Sequence, residues 1–320
     1  MLQEKSSFLM SKKVIVIVKN EEIKKITEKI FFNSSYEVQF FEEQKEALQI
    51  IYDEIPNLVV VEAITSPATE LSIINTLKSD PLFVSINVIA IVSPDFYTEE
   101  WKSFFVDDYI RINNLEIDLL MRINLSFERV ERVMATNPLT KLPGNLVIQK
   151  EIQKRLDRKE IFALAYADLD NFKPFNDKYG FSRGDDVIKM LGRLILNIVR
   201  TEQPSGCFVG HIGGDDFVYI MDHEKIESTT QKIINIFDNL IINFYDEEEI
   251  RKGYIESVDR EGKICFYPIM TVSVGITSTR YRTFRHFSEM AEAASVMKSV
   301  AKKQEGKRYA IDRRKDLIKK

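Results

Sequence analysis

The stretch FALAYADLDNFKPFNDKYGFSRGDDVI (162–188) decides how this chain folds. Phe162–Ala167 is an apolar run of strand length, and the acidic word Asp168-Leu169-Asp170 closes it. Apolar residues at helical spacing then predict a helix over Asp185–Val199, entered through Gly184. A strand that ends on carboxylates puts them at the rim of a sheet. Working outward, FVGHIGGDDFVYIM (208–221) sets two apolar stretches around Gly213-Gly214-Asp215-Asp216. That spacing predicts a hairpin with the glycines in a two-residue turn and the carboxylates at its exit. Further on, AASVMKSVAKKQEGKRYAI (293–311) reads as a helix with a basic end, followed by a strand.

A strand-end Asp168 and a hairpin-borne Asp215 can meet across a sheet and hold a hard cation through oxygen. Mg²⁺ suits such a site because it takes few carboxylates and completes its shell with water and phosphate oxygens. Lys302, Lys307 and Arg308 could neutralise a polyphosphate, and backbone N–H groups near Asn171–Lys173 could cradle it. This set suits phosphoryl or nucleotidyl transfer, where positioning and charge neutralisation carry most of the rate. The plainer alternative is that these acidic words are solvated turns.

Together these words resemble the GGDEF family of diguanylate cyclases, from Asn137 to about Arg313. NPLTKLPGN (137–145) is similar to the family's opening word, with Asn137 in place of its usual Asp. DLDNFKPFNDKYGFSRGDD is close to its central motif, and GGDDF is its signature with Asp216 in place of Glu. TVSVGIT (271–277) and AKKQEGKRY resemble the later strand and the phosphate-binding end. The resemblance implies a palm-like α/β domain in which two protomers, each holding one GTP, form cyclic di-GMP and two pyrophosphates. It implies that Asp168, Asp215 and the Leu169 carbonyl hold Mg²⁺ or Mn²⁺, and that Asn176 and Asp185 read the guanine edge. Phe172 and Lys173 would offer backbone donors to the phosphates. Lys302 with Lys307 would neutralise them, or Arg308 in place of Lys307, since the match needs a one-residue insertion. A signature carboxylate, Asp215 or Asp216, would accept the proton of the attacking 3′-hydroxyl. The shorter Asp216 costs one methylene of reach, so Asp216→Glu is expected to raise turnover modestly. The family's product-inhibition word, Arg-x-x-Asp, has no counterpart here: Arg200 is followed three residues later by Gln203. The alternative is a catalytically inactive module that binds GTP or a protein partner. His211 is read as a packed strand residue rather than a base.

The first half alternates apolar strands with amphipathic helices. VIVIV (14–18), YEVQFF (36–41), NLVVVEA (57–63), NVIAIVS (87–93) and DYIRI (108–112) are the strands. Helices are expected over 21–32, 42–55, 68–79 and near Tyr97–Phe105. This is the pattern of a flavodoxin-like (βα)5 sheet, parallel and doubly wound. PNLVVVEAITSP and VDDYIRIN resemble the third and fifth strands of a response-regulator receiver domain. Against that family, Glu62 stands at the phosphate-acceptor position and Lys19-Asn20 replace the acidic metal pair, with Glu21 and Glu22 displaced along the chain. Val92 stands near the hydroxyl position and Ile112 replaces the lysine. A longer carboxylate without metal pair or lysine should not run acyl-phosphate chemistry. The segment 12–114 is therefore read as a pseudo-receiver, a surface for dimerisation or for an upstream signalling protein.

Residues 115–136 join it to a GGDEF domain at 137–320. Leu119, Ile123, Phe127, Val130 and Met134 recur at helical spacing, giving a connecting helix that packs on its own receiver-like domain or pairs between chains. The segment 245–270 is additional and reads as an inserted hairpin. The 320 residues carry 45 Lys+Arg against 49 Asp+Glu, for a net charge of −4. Such a balance argues against a nucleic-acid surface. Two cysteines make neither a disulfide scaffold nor a metal framework, and no apolar run is long enough to span a bilayer. A cytoplasmic protein with no membrane contact is the expectation.

Overall fold

The apolar words of the first half fold as five parallel strands. In the computed structural model, which describes residues 12–97, 104–258, 264–304, 306 and 308–315, the chain divides into two compact units, Met1–Glu131 and Arg132–Lys320. The first runs β1 (Lys13–Ile17), α1 (Glu21–Phe31), β2 (Glu37–Phe41), α2 (Gln44–Asp53), β3 (Leu58–Glu62), α3 (Pro67–Glu70), α4 (Ser72–Lys78), β4 (Asn87–Val92), β5 (Asp108–Arg111) and α5 (Leu115–Met134). The sheet order is β2-β1-β3-β4-β5, the flavodoxin-like order. Alternate strand residues feed two cores. Ile15, Ile17, Val59 and Val61 meet α2 and α4 on one face, and Val14, Val16, Leu58 and Val60 meet α1 and α5 on the other. Leu115, Leu119, Ile123 and Phe127 of α5 are buried in that second core, so this stripe packs on its own sheet. Of the helix expected near Tyr97–Phe105, residues 98–103 lie outside the described residues.

Glu62 has a structural task. Its Oε2 accepts the backbone N–H groups of Lys19 (2.7 Å) and Asn20 (2.9 Å). Asn20 in turn caps α1, its Oδ1 accepting from the N–H groups of Glu22 and Ile23. A carboxylate that satisfies two loop amides and so fixes a helix cap replaces a free acceptor beside a metal.

The second unit runs α6 (Asn145–Asp157), β6 (Ala163–Asp170), α7 (Phe172–Tyr179), α8 (Phe181–Glu202), β7 (Phe208–Gly213), β8 (Asp216–Met221), α9 (His223–Ile241), α10 (Glu247–Lys252), β9 (Tyr254–Val258), β10 (Ile264–Pro268), β11 (Thr271–Ser278), α11 (Phe287–Ala301) and β12 (Tyr309–Ile311). Its five-stranded sheet has the order β12-β11-β6-β8-β7. The acidic strand β6 is central, antiparallel to both β11 and β8. Ala163, Ala165, Ala167 and Leu169 face the core under α8 and α9, while Leu164 and Tyr166 face α6 and α11. By the two-residue period of a strand, Asp168 and Asp170 follow Tyr166 onto the α11 side.

One expectation shifts. Helix α8 begins at Phe181, four residues before Asp185, because Gly180 at φ +83° ends α7 and starts the next helix at once. Gly184 therefore lies inside α8 and is no entry residue. The segment 245–270 contains α10 and the antiparallel pair β9–β10, whose connecting residues 259–263, with the DREG word, are outside the described residues. Among the described residues no helix is long and apolar enough to cross a membrane.

Candidate functional site

Strand β8 pairs with β6 only as far as Ala167↔Phe217. The end of β6 that carries Asp168, Leu169 and Asp170 thus runs past the ladder on that side, next to the β7–β8 hairpin. The turn there is one residue later than the glycine pair suggested: Gly213 pairs with Asp216, so Gly214 and Asp215 form the loop. Gly214 sits at φ +58°, a left-handed value that glycine takes without strain. A buried His211 braces the turn. Its Nε2 lies 3.0 Å from the Gly214 carbonyl and its Nδ1 2.9 Å from Thr140 Oγ1. A carbonyl only accepts, so Nε2 carries the proton and Nδ1 accepts from the hydroxyl. Burial lowers the His211 pKa, which suits this neutral tautomer and the packed role read from the sequence. Asn137, where the family word has Asp, keeps its acceptor role: Oδ1 takes the N–H groups of Leu139 and Thr140 at 2.9 and 3.1 Å.

Helix α11 brings cations to this rim. Lys302 Nζ bonds Asp168 Oδ2 and lies 3.4 Å from Asp170 Oδ1. Lys298 Nζ bonds Asp168 Oδ1 at 3.0 Å and Asp216 Oδ1 at 2.6 Å, and rests 4.3 Å from the centre of the Tyr166 ring. The approach depends on Gly275 of β11, where a Cβ would fall 2.0 Å from the Ala294 carbonyl oxygen and 2.1 Å from the Lys298 nitrogen. Asp170 Oδ2 is held by Thr271 Oγ1 (2.8 Å) and Ser273 Oγ (2.6 Å) across the β6–β11 pair. Sequence reasoning missed Lys298 and Tyr166. The available signal was the spacing of Lys298 and Lys302, four apart and so on one helix face.

The charges are unevenly matched. Burial pushes the Asp168 carboxyl up, but the hydrogen bonds from Lys302 and Lys298 outweigh it and hold the pKa below the usual range. Asp215 is raised, first by burial and then by the charge of Asp168. Asp216 is also raised by burial, against the pull of Lys298. Both lysines stay cationic, since their aspartate bonds override the desolvation that would lower them. Four carboxylates face two ammonium groups, and among the described residues Asp215 has no ion pair. The unmatched charge is that of one divalent cation.

Beyond β6 the chain turns through Asn171, in the left-handed region at φ +62°, into α7 without a side-chain cap. The N–H groups of Phe172 and Lys173 are therefore first-turn donors without an intrahelical partner. Asn176 packs against α8 where Gly184 leaves room. A Cβ there would lie 1.9 Å from Asn176 Oδ1. That Oδ1 is buried and has no hydrogen-bond partner, an unsatisfied acceptor at the α7–α8 contact. Asp185 follows Gly184 on α8 and is half-buried.

One of the cations expected from the sequence does not join Lys302. Both terminal nitrogens of Arg308 are taken by the Asp238 carboxylate of α9, because a planar guanidinium pairs best with a bidentate carboxylate. Lys307 lies outside the described residues. Among the described residues no three His, Cys, Asp or Glu side chains are grouped as a metal cage. The donor set still fits Mg²⁺ or Mn²⁺. The unpaired Asp215 and the excess negative charge supply what such ions take from protein, with water and phosphate completing the shell.

Residues 134–257 match the family described as "Diguanylate cyclase, GGDEF domain". Diguanylate cyclase DgcP of Pseudomonas aeruginosa is 27% identical over 125 residues, 38% of this chain and 18% of that protein. A diguanylate cyclase of Vibrio cholerae is 24% identical over 133 residues, 40% of this chain and 36% of that one. The chain thus spans about a fifth to a third of the length of these curated relatives. Among solved structures, the coiled coil and GGDEF domain of DgcB from Caulobacter crescentus, in complex with c-di-GMP, superposes with a TM-score of 0.45 at 21% identity. It covers 62% of this chain and 99% of that one.

Proposed function

We propose that this chain, whose residues 134–257 form a GGDEF domain, is a diguanylate cyclase that condenses two GTP into cyclic di-GMP and two pyrophosphates. One observation carries the reading: the rim of β6 and the β7–β8 turn gathers Asp168, Asp215 and Asp216 in negative excess beside Lys302, while α7 and α8 hold the orphaned acceptor of Asn176.

Guanine N–H groups would donate to Asn176 Oδ1 and to the Asp185 carboxylate. Adenine lacks that donor pattern, and an unpaired buried acceptor penalises it. The N–H groups of Phe172 and Lys173 and the Lys302 ammonium would receive the phosphates. Asp168, Asp215 and the Leu169 carbonyl would hold Mg²⁺ or Mn²⁺, which when bound supplies charge neutralisation at the α-phosphate and acidifies the attacking hydroxyl. The 3′-oxygen of one GTP bonds to the α-phosphorus of the other, the bond to the bridging oxygen breaks, and pyrophosphate leaves with its electron pair. Asp216 accepts the hydroxyl proton, and burial makes its carboxylate a better base than a solvated aspartate. Each product needs two such transfers, so two protomers must face each other. The first domain would set that pairing or receive an upstream protein, without phosphotransfer.

Incubation of the purified protein with GTP and Mg²⁺, followed by chromatography of the nucleotides, tests the reading. Cyclic di-GMP is expected, and Asp168→Asn should abolish it without loss of cooperative unfolding. Bound but unconverted GTP would favour the inactive module instead.

A further inference from the structure

Asp168 offers two oxygens, and both are taken by ammonium groups of α11. The two lysines are not equivalent. Lys302 follows the last residue of the helix, its side chain is 37% exposed, and its bonds are to Asp168 Oδ2 and Asp170. It can swing toward an arriving polyphosphate and release Oδ2. Lys298 lies within the helix, with a side chain only 13% exposed. Its ammonium lies over the Tyr166 ring and bridges Asp168 Oδ1 to Asp216 Oδ1. Leaving would strip this cation from two half-buried carboxylates.

Two carboxylates that share one cation present the oxygen donors that a divalent ion also takes, and phosphoryl-transfer sites can hold two such ions. Here a covalently attached cation sits between them. We propose that Lys298 is a positioning residue that permanently fills the seat between Asp168 and Asp216, so that this site takes one divalent cation per nucleotide rather than two. The single cation binds on the Asp168 Oδ2 and Asp215 side, where Lys302 can yield. The same bridge accounts for the length of Asp216: an aspartate already reaches the ammonium at 2.6 Å. This inference rests on the functional reading above.

The test is a count of Mn²⁺ per bound nucleotide, read by electron paramagnetic resonance. The full chain is titrated at saturating concentration of a GTP analogue that cannot be cleaved between the α and β phosphorus. Wild type should bind one Mn²⁺ per nucleotide, while K298M and K298Q should bind two, because removal of the ammonium opens the seat. Two Mn²⁺ in wild type would overturn the inference and leave the cyclase reading standing. One Mn²⁺ in wild type and in the variants alike would also overturn it, since Lys298 would then not be what excludes the second ion. Absence of nucleotide binding in wild type would remove the functional reading and this inference with it. Thermal melting shows which variant keeps its fold, and if neither does, the wild-type count decides.

Discussion

Gly184→Ala should separate stability from recognition. A methyl group there would sit 1.9 Å from Asn176 Oδ1, 2.9 Å from its Cγ and 3.2 Å from Phe172 Cζ. Carbon atoms in contact settle at about 3.5–4.0 Å, so the Asn176 amide must retreat by more than an ångström. The obstructing atoms are side-chain tips, which can rotate, and no backbone has to move. Alanine in a helix interior is favoured over glycine by about 1 kcal/mol, which offsets the crowding, and the melting temperature should stay level or rise by a few degrees. Binding should suffer, because the acceptor that meets guanine has been turned away. Leaving a buried donor or acceptor unmet costs about 1–3 kcal/mol, which is roughly five- to 150-fold in affinity. Calorimetric titration with a GTP analogue, and the same with the ATP analogue, measures both the loss and the fall in selectivity. Unchanged affinity for the guanine nucleotide, with the fold intact, would refute the assignment of Asn176.

Three further outcomes follow from named contacts. Gly275→Ala meets backbone atoms of α11 at 2.0 and 2.1 Å, which cannot rotate aside, so the helix must lift. Destabilisation of about 1–3 kcal/mol or more is expected, and an unchanged melting curve would contradict the packing argument. Incubation with acetyl phosphate and Mg²⁺ should leave the intact mass unaltered, because Glu62 is engaged by two loop amides; a phosphoryl adduct mapped to residues 57–66 would show otherwise. Asp216→Glu should lower turnover rather than raise it. Asp216 is already bonded to an anchored Lys298, and a carboxylate displaced by about 1 Å can lose about a hundredfold in rate. Steady-state kinetics with matched dimer fractions would settle the sign, a rise ruling out the anchored pair.

Much of this was legible in the sequence because it is local. The strand that ends on Asp168 and the apolar alternation of the first sheet depend on periods of two and 3.6 residues, which neighbours along the chain reveal. The start of α8 is less legible, because Gly184 has the local look of a helix entry. The chain breaks instead at Gly180, whose φ of +83° ends α7 and opens α8 in one residue. The glycine turn lies one residue later than its spacing suggests, for a related reason. The His211–Gly213 irregularity in the β7–β8 pairing shifts the loop onto Gly214-Asp215, and pairing register is not written in either strand alone. Arg308 was assigned to phosphate on its charge, but Asp238 lies 70 residues away in sequence, and only the packing of α9 beside β12 makes it the partner.

Asp216 and Lys298 show most clearly why composition at single positions misleads. Taken alone, the aspartate is a shortened signature residue and predicts a defect. Taken alone, the lysine is one more cation on a basic helix and predicts a solvated side chain. They are separated by 82 residues and meet only because Gly275 lets α11 lie against β11, beside the central strand. Once they meet, the two departures explain each other. A half-buried ammonium needs carboxylates within reach, and the aspartate at 216 reaches it from the strand at 2.6 Å. Removing Lys298 leaves the half-buried Asp216 without its cation, which costs far more than an exposed ion pair contributes. The two positions should therefore be strongly non-additive. If Asp216→Asn and Lys298→Met each lower the melting temperature, the double variant should lower it by less than the combined effect, because the unmatched charge disappears with the pair.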